Sequence, residues 1–190
     1  GVSIVLKNND TLIFQAQGMA DLEHQTPIDS LTNFRLASVS KQFTAMAIFQ
    51  LIKLGKVDFD TKVRTLLPEL PVSTANINIA QLINHSSGIV DYEGMISLDR
   101  TIPLTDKDVL SYISVVDSLY FEPGTTFRYS NTAYCLLALI VERLSEMPFA
   151  EAVKVLIFEP LALKTATVYP TPVDAGIRAF GYHPEQSIFH

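Results

Sequence analysis

A serine and a lysine three residues apart, Ser38 and Lys41, are the residues of this 190-residue chain best suited to covalent chemistry. A serine hydroxyl is a weak nucleophile at neutral pH and needs a neighbouring base. On a helix, a lysine three positions after the serine shares its face, with Cβ atoms about 5–6 Å apart. A helix N-terminus also disfavours an ammonium ion and favours a developing alkoxide. The pair predicts that Ser38 attacks a carbonyl while Lys41 holds its hydroxyl and helps to take its proton.

A tyrosine and an asparagine later in the chain, in Tyr129-Ser130-Asn131, form a second candidate group. Tyr129 would be a base or proton relay; a free phenol has a pKa of about 10, so it needs a cation such as Lys41 to act near neutral pH. Asn131 carries a donor and an acceptor, which suit a substrate amide and Lys41. The alternatives are a packed tyrosine with a satisfied hydroxyl and an asparagine that caps the following helix.

Two other serine arrangements compete with this hypothesis. Ser38 could act only as a helix N-cap, and Ser40 lies beside Lys41 in sequence but on a different helical face.

His85 invites a Ser-His-Asp interpretation with Ser86, Ser87 or Asp91. The chain has no Gly-x-Ser-x-Gly nucleophile turn, however. We therefore expect His85 to end a helix, where a cation is favoured near the last carbonyl groups.

Composition narrows the function classes. The net charge of −6 and the pI near 5.1 argue against a nucleic-acid or anionic-membrane partner, because both select basic patches. The single cysteine, Cys135, lies in an apolar stretch and is expected to be a buried, inert thiol. The four histidines and the carboxylates show no metal-ligand spacing. We predict neither a metal nor another cofactor. The sequence contains no run of 18 apolar residues, so we predict no membrane-spanning helix.

The apolar pattern predicts a strand hairpin, a mostly helical middle and a returning strand. The strands are predicted at 2–7, 11–17 and 176–182, the helices at 38–54, 78–85, 105–117, 131–146 and 149–158, and an irregular stretch at 57–71. Thr105 begins a capping signal. This order predicts an α/β (α+β) fold with a helical region inserted into a sheet layer.

Four segments of the chain, in order, carry a family resemblance. Phe34–Ala45, around Ser38 and Lys41, resembles the nucleophile segment of the serine β-lactamase and penicillin-binding protein family, in the branch of the class C β-lactamases. Leu82–Ile89 is similar to that branch's LL-x-H-x-SGI segment, and Phe121–Asn131 to its F-x-PG-x-x-F-x-YSN stretch. Glu159–Thr165 resembles its PLGM-K-T turn.

The resemblance implies an antiparallel sheet flanked by helices, with a mostly helical insertion. It also implies that the backbone N–H of Ser38 supplies half of an oxyanion hole. The family's third motif lies on a C-terminal strand that we expect to be absent here. Lys164-Thr165-Ala166 is not expected to replace it, because Ala stands in place of Gly. The sequence is thus expected to be a fragment, or a shortened version, of a longer enzyme.

These observations predict three regions. Residues 1–56 are the start of an α/β domain with the nucleophile helix, 57–168 a mostly helical domain, and 169–190 an incomplete return to the α/β domain. The predicted function is a serine acyl hydrolase that acts through an acyl-enzyme on a β-lactam, a D-alanyl peptide or an ester. The alternative is a non-catalytic module that binds peptidoglycan-type ligands. Family resemblance further predicts a periplasmic or extracellular location, and oligomeric state is left open.

Overall fold

The computed structural model describes residues 1–8, 10–97, 99, 101–168, 178–183 and 186–189, with the backbone alone at 183 and 186–189. Contacts divide the chain into two compact units. One unit comprises Gly1–Ser38 and Thr165–His190, and the other comprises Val39–Lys164. The predicted domain division at residues 56 and 168 stays a prediction.

The first unit contains three antiparallel strand pairs. They are β1 (Val2–Lys7) with β2 (Asp10–Ala16), β3 (Met19–Asp21) with β4 (Thr26–Pro27), and β5 (Gly181–His183) with β6 (Gln186–Phe189). The predicted N-terminal hairpin is confirmed. The return strand is confirmed at β5, and residues 176 and 177 of that prediction lie outside the described residues.

The second unit is mostly helical. Its helices are α1 (Lys41–Lys53), α2 (Val63–Leu66), α3 (Ile79–Ile83), α4 (Asp106–Ile113), α5 (Asn131–Ser145) and α6 (Phe149–Val153). Two 3₁₀ turns lie at Val72–Asn76 and Tyr92–Met95, and a π-helical turn at Lys154–Phe158 continues from α6. In the described ranges, none of the helices has the length and apolar character needed to cross a membrane.

Helix α5 is the centre of the helical unit and packs against α1, α3, α4 and α6. The side chains at this centre are fully buried and apolar: Ile48, Leu51, Leu82, Ile113, Leu136, Leu137 and Ile140. The burial of such side chains contributes about 1.5–3 kcal/mol each relative to exposure. The core therefore holds the two segments that carry Lys41 and Asn131, since these are the first residues of α1 and α5.

Three predicted elements need correction. Ser38 does not lie in an α-helix: it belongs to a 3₁₀ turn, Ala37–Ser40, and α1 begins only at Lys41. Ala37, the residue before Ser38, has φ 46°, a left-handed conformation, and the chain enters α1 through a tight 3₁₀ turn of the kind that is common at helix N-termini. The stretch predicted to be irregular contains α2, and the predicted helix 149–158 ends as a π-helical turn.

Two capping predictions have different outcomes. The capping signal of α4 is confirmed, because the Thr105 hydroxyl accepts from Asp108 N–H and the Asp108 carboxylate accepts from Thr105 N–H. At α5 the N-cap is Ser130, whose hydroxyl accepts from Ala133 N–H at 3.1 Å. Asn131 is thus the first helical residue and its amide is available for other contacts.

Candidate active site

The candidate nucleophile, Ser38, is exposed and precedes α1 by three residues. It is the last residue of the first compact unit, and Val39 is the first residue of the second. The 3₁₀ turn that contains Ser38 is continuous with the helix that Lys41 begins. The spacing that motivated the assignment is thereby kept, on a turn rather than on an α-helix.

Three of the predicted site residues, Lys41, Tyr129 and Asn131, come together within the helical unit. Lys41 Nζ donates to Asn131 Oδ1 at 2.7 Å. The same ammonium lies 4.9 Å from the ring centroid of Tyr129 and 5.5 Å from that of Tyr134. These distances are within the range of cation–π attraction. Residues about ninety positions apart thus form one polar cluster around the Lys41 ammonium.

Glu93 is a member of this cluster that the sequence reasoning missed. Asn131 Nδ2 donates to Glu93 Oε1 at 2.7 Å. An ionised carboxylate only accepts hydrogen bonds, so the Asn131 NH₂ group must face Glu93 and its oxygen must face Lys41. Glu93 lies in the 3₁₀ turn Tyr92–Met95, which no spacing rule connects to α5.

His85 lies beside Tyr129 and, as predicted, stands at the end of a helix, but the site does not favour its charged form. Helix α3 ends at Ile83, and His85 follows with φ 61°. Its ring centroid is 4.6 Å from that of Tyr129, and its Nδ1 accepts from Ser130 N–H at 3.2 Å. Burial, and secondarily the positive charge of Lys41, lower the pKa of His85. The neutral imidazole is therefore the form that this site favours.

The residues of the competing Ser-His-Asp interpretation have other partners. Asp91 accepts from Arg128 at 3.0 Å, and that guanidinium lies 4.0 Å from the ring centroid of Tyr120. The Ser86 hydroxyl donates to Asn84 Oδ1 at 2.6 Å. These contacts support a scaffold role for the segment that follows α3.

The backbone of that scaffold depends on Gly88. Gly88 has φ 71°, and a Cβ atom there would lie 2.1 Å from the carbonyl oxygen of Phe121. Gly88 C=O accepts from Tyr120 N–H at 2.7 Å, and Ser86 C=O accepts from Gly124 N–H at 2.8 Å. The segment after α3 is thereby joined to the segment that leads to Tyr129.

Neither a reactive thiol nor a metal cluster is found in the described part of the chain. Burial, with the nearby Asp106 carboxylate acting in the same direction, raises the pKa of the Cys135 thiol. The thiol is thus protonated at neutral pH, where a thiol reacts slowly. The described residues contain no group of three or more His, Cys, Asp or Glu side chains arranged to hold a metal ion.

The β-lactamase family model matches residues 1–189. The chain is 33% identical over 188 residues to penicillin-binding protein 4* of Bacillus subtilis. This match covers 96% of this chain and 41% of that protein. It is 35% identical over 178 residues to esterase EstB of Burkholderia gladioli, which covers 86% of this chain and 45% of that protein. The chain therefore spans less than half of the length of each of these two curated relatives.

Solved structures agree with the sequence relatives. A penicillin-binding protein from Bacillus halodurans superimposes with a TM-score of 0.84 at 28% identity, over 97% of this chain and 57% of that one. The expected β-lactamase and transpeptidase type of α/β fold is confirmed. The chain belongs to the β-lactamase family, which includes the serine β-lactamases and the penicillin-binding proteins.

Proposed function

We propose that the protein carrying this chain is a serine acyl hydrolase with Ser38 as its nucleophile. The observation that carries the proposal is the contact of Lys41 Nζ with Asn131 Oδ1 at 2.7 Å, beside the Tyr129 ring. Chain-distant residues of the types that acyl transfer needs are gathered at the end of the helix that follows Ser38. Relatives named as a penicillin-binding protein and an esterase support the same reaction class.

Acylation begins when Ser38 Oγ attacks the carbonyl carbon of the substrate. The hydroxyl proton passes to the basic pair of Tyr129 and Lys41, in which the Tyr129 oxygen accepts it as a phenolate beside the Lys41 ammonium, and the carbonyl oxygen takes up negative charge. Collapse of this intermediate breaks the bond to the leaving group, which receives the proton. The backbone N–H of Ser38 is proposed to stabilise the oxyanion.

Deacylation reverses the roles of these groups. A water molecule loses its proton to the same basic pair, attacks the acyl carbon and releases the acid, and Ser38 Oγ recovers its proton. Asn131 keeps the Lys41 ammonium in place and offers its amide to a polar group of the substrate. A β-lactam, a D-alanyl peptide and a simple ester all fit this sequence, and we propose substrates of this class. We further propose a periplasmic or extracellular location, where peptidoglycan-like acyl groups are found.

Covalent labelling with a serine-directed phosphonate tests the proposal. Trypsin releases Ser38 in the peptide Leu36–Lys41, which also contains Ser40. Fragmentation of this peptide should place the added mass on Ser38, and Ser38→Ala should abolish labelling while Ser40→Ala, the matched control, keeps it. Labelling of Ser40 or Ser86, with Ser38→Ala still reactive, would falsify the assignment. An unlabelled protein that still binds a peptidoglycan fragment would instead support the non-catalytic module.

A further inference from the structure

His85 holds the peptide groups on both sides of Tyr129. Its backbone carbonyl accepts from Arg128 N–H at 2.9 Å, and its ring Nδ1 accepts from Ser130 N–H at 3.2 Å. One residue thus fixes the backbone immediately before and immediately after the proposed proton relay. This backbone places the Tyr129 ring beside the His85 ring.

The His85 ring also packs among aromatic side chains. Its centroid is 4.6 Å from that of Tyr129 with an interplanar angle of 36°, and 5.1 Å from that of Tyr134 with an angle of 37°. Phe127 meets it edge-on at 5.9 Å. The His85 ring therefore limits the positions that the Tyr129 ring can occupy.

Only the neutral imidazole can make the contact to Ser130. Nδ1 must offer a lone pair to the Ser130 N–H, so the ring proton of the neutral form lies on Nε2. Among the described residues, Tyr129 before α5 and Tyr134 on α5 pack beside the ring, and the charge that acts on it is that of Lys41 on α1. None of these groups is a carboxylate that would stabilise the imidazolium.

We propose that His85, in its neutral form, is the positioning residue that holds Tyr129 against Lys41, and that protonation of His85 releases this arrangement. The inference rests on the proposed function, in which Tyr129 and Lys41 move the proton of Ser38. It assigns to the histidine after α3 a role in the geometry of proton transfer, without direct contact with the substrate.

The sign of the pH effect follows from the pKa of His85, which burial and then Lys41 hold below its ordinary value of 6.5. The unfolded chain takes up the proton first as the pH falls, so the folded state loses stability below pH 6.5 and down to the folded pKa. Above pH 6.5 both states are neutral and the contribution is fully present. Catalysis should fall at lower pH, as the folded protein itself becomes protonated at His85.

Three variants separate the contributions of the ring and the acceptor. His85→Asn places an amide oxygen near the position of Nδ1, tolerates the left-handed backbone and does not titrate. His85→Phe keeps a ring without an acceptor. His24→Asn is the matched control, because His24 is a mostly exposed histidine that pairs with Asp21 within the strand-containing unit.

In ester hydrolysis at pH 7.5 we expect His85→Phe to lower kcat by about 10-fold to 100-fold, because small misplacements of reacting groups have effects of this size. KM should stay within about twofold, since positioning acts on the chemical step. The acidic limb of the kcat profile should be lost in His85→Asn and kept in His24→Asn. Wild-type kcat in a folded His85→Phe protein, or an unchanged acidic limb in His85→Asn, would overturn the proposal.

A readout that needs no turnover separates this inference from the proposed function. In NMR spectra, the ring signals of Tyr129 should shift with the same midpoint as the His85 imidazole, and His85→Asn should abolish that shift. If the protein hydrolyses nothing but the two signals titrate together, the proposed function fails and the structural coupling stands. If the Tyr129 ring signals do not change when His85 is protonated in an active enzyme, the positioning role of His85 is excluded.

Discussion

The side-chain amide of Asn131 has a different charged partner at each end. Its oxygen accepts from Lys41, and its NH₂ group donates to Glu93. Hydrogen bonds to charged groups are shorter and stronger than those between neutral groups. The two bonds fix the rotation of the amide, and the amide in turn fixes the Lys41 ammonium beside the Tyr129 ring.

The Lys41 ammonium and the Tyr129 hydroxyl are each predicted to be necessary for turnover. Lys41→Ala and Tyr129→Phe each remove a partner in proton transfer, a contribution of about 10²–10⁴-fold in rate. We expect losses of that order in kcat, measured with a chromogenic ester, and thermal unfolding close to that of the wild type. Lys53→Ala, at the exposed end of the same helix, is the control and should stay fully active. A Lys41 or Tyr129 variant with near-wild-type kcat would remove that residue from the mechanism.

The site depends on irregular segments that a few helices hold in place. Lys41 and Asn131 begin α1 and α5, which pack directly against each other. Tyr129, His85 and Glu93 lie outside the α-helices, and the segment that carries His85 is paired through its backbone with the segment that leads to Tyr129. The strength of that pairing therefore decides how well the proton relay is placed.

Replacement of Gly88 by alanine should disrupt this pairing. The new Cβ would meet the Phe121 carbonyl oxygen at 2.1 Å, on a backbone with φ 71°. We expect a loss of about 3 kcal/mol or more in the free energy of unfolding, measured in urea. Gly55→Ala is the matched control: φ is 70° there but nothing lies within 4 Å of the added Cβ. Gly55→Ala should lower the free energy of unfolding by only about 1–2 kcal/mol, because alanine is disfavoured in the left-handed conformation. Equal losses in the two variants would contradict the steric argument.

Local signals predicted much of this architecture, and long-range contacts explain what they missed. The capping of α4 by Thr105 and Asp108 involves residues three positions apart, so the sequence alone predicts it. The contact between Lys41 and Asn131 was reached through the motifs of a family resemblance. Glu93 was missed because its partner lies 38 residues away on another element.

The contacts of His85 are a second feature that sequence patterns do not predict. The apolar pattern predicts a helix that ends near residue 85, but it does not predict that His85, with φ 61°, accepts hydrogen bonds from Arg128 N–H and Ser130 N–H. Those partners lie beyond α4, just before α5. No periodicity in the sequence records them.

On the scale of the whole chain, the two compact units differ in how much of their apolar surface they bury. Among the described residues, the helical unit contains nearly all of the buried apolar side chains, while Ala20 is the only one in the strand-containing unit. The hairpin of β1 and β2 exposes apolar residues on both faces. Ile4 lies opposite Phe14 on one face, and Val5 lies opposite Ile13 on the other.

This hairpin should make residues 1–190, produced alone, self-associate. Val5 is 46% exposed and Ile13 53%, and in the described part of the chain β1 and β2 pair only with each other. Unpaired strand edges beside apolar side chains are a template for pairing with another chain. We expect the weight-average mass in sedimentation to rise with concentration up to about 100 µM.

Paired charges on the hairpin should suppress that association without unfolding the strands. Val5→Lys with Ile13→Glu places opposite charges at directly opposed positions, which favours the hairpin while adding polar groups to one of its two exposed faces. The double variant should sediment as a monomer over the same range. Val115→Lys is the matched control, because Val115 is 81% exposed on the helical unit and stands apart from any strand; it should associate like the wild type. A wild-type chain that stays monomeric would show that the exposed hairpin does not cause self-association. A monomeric Val115→Lys variant would show that the chains associate through the helical unit instead.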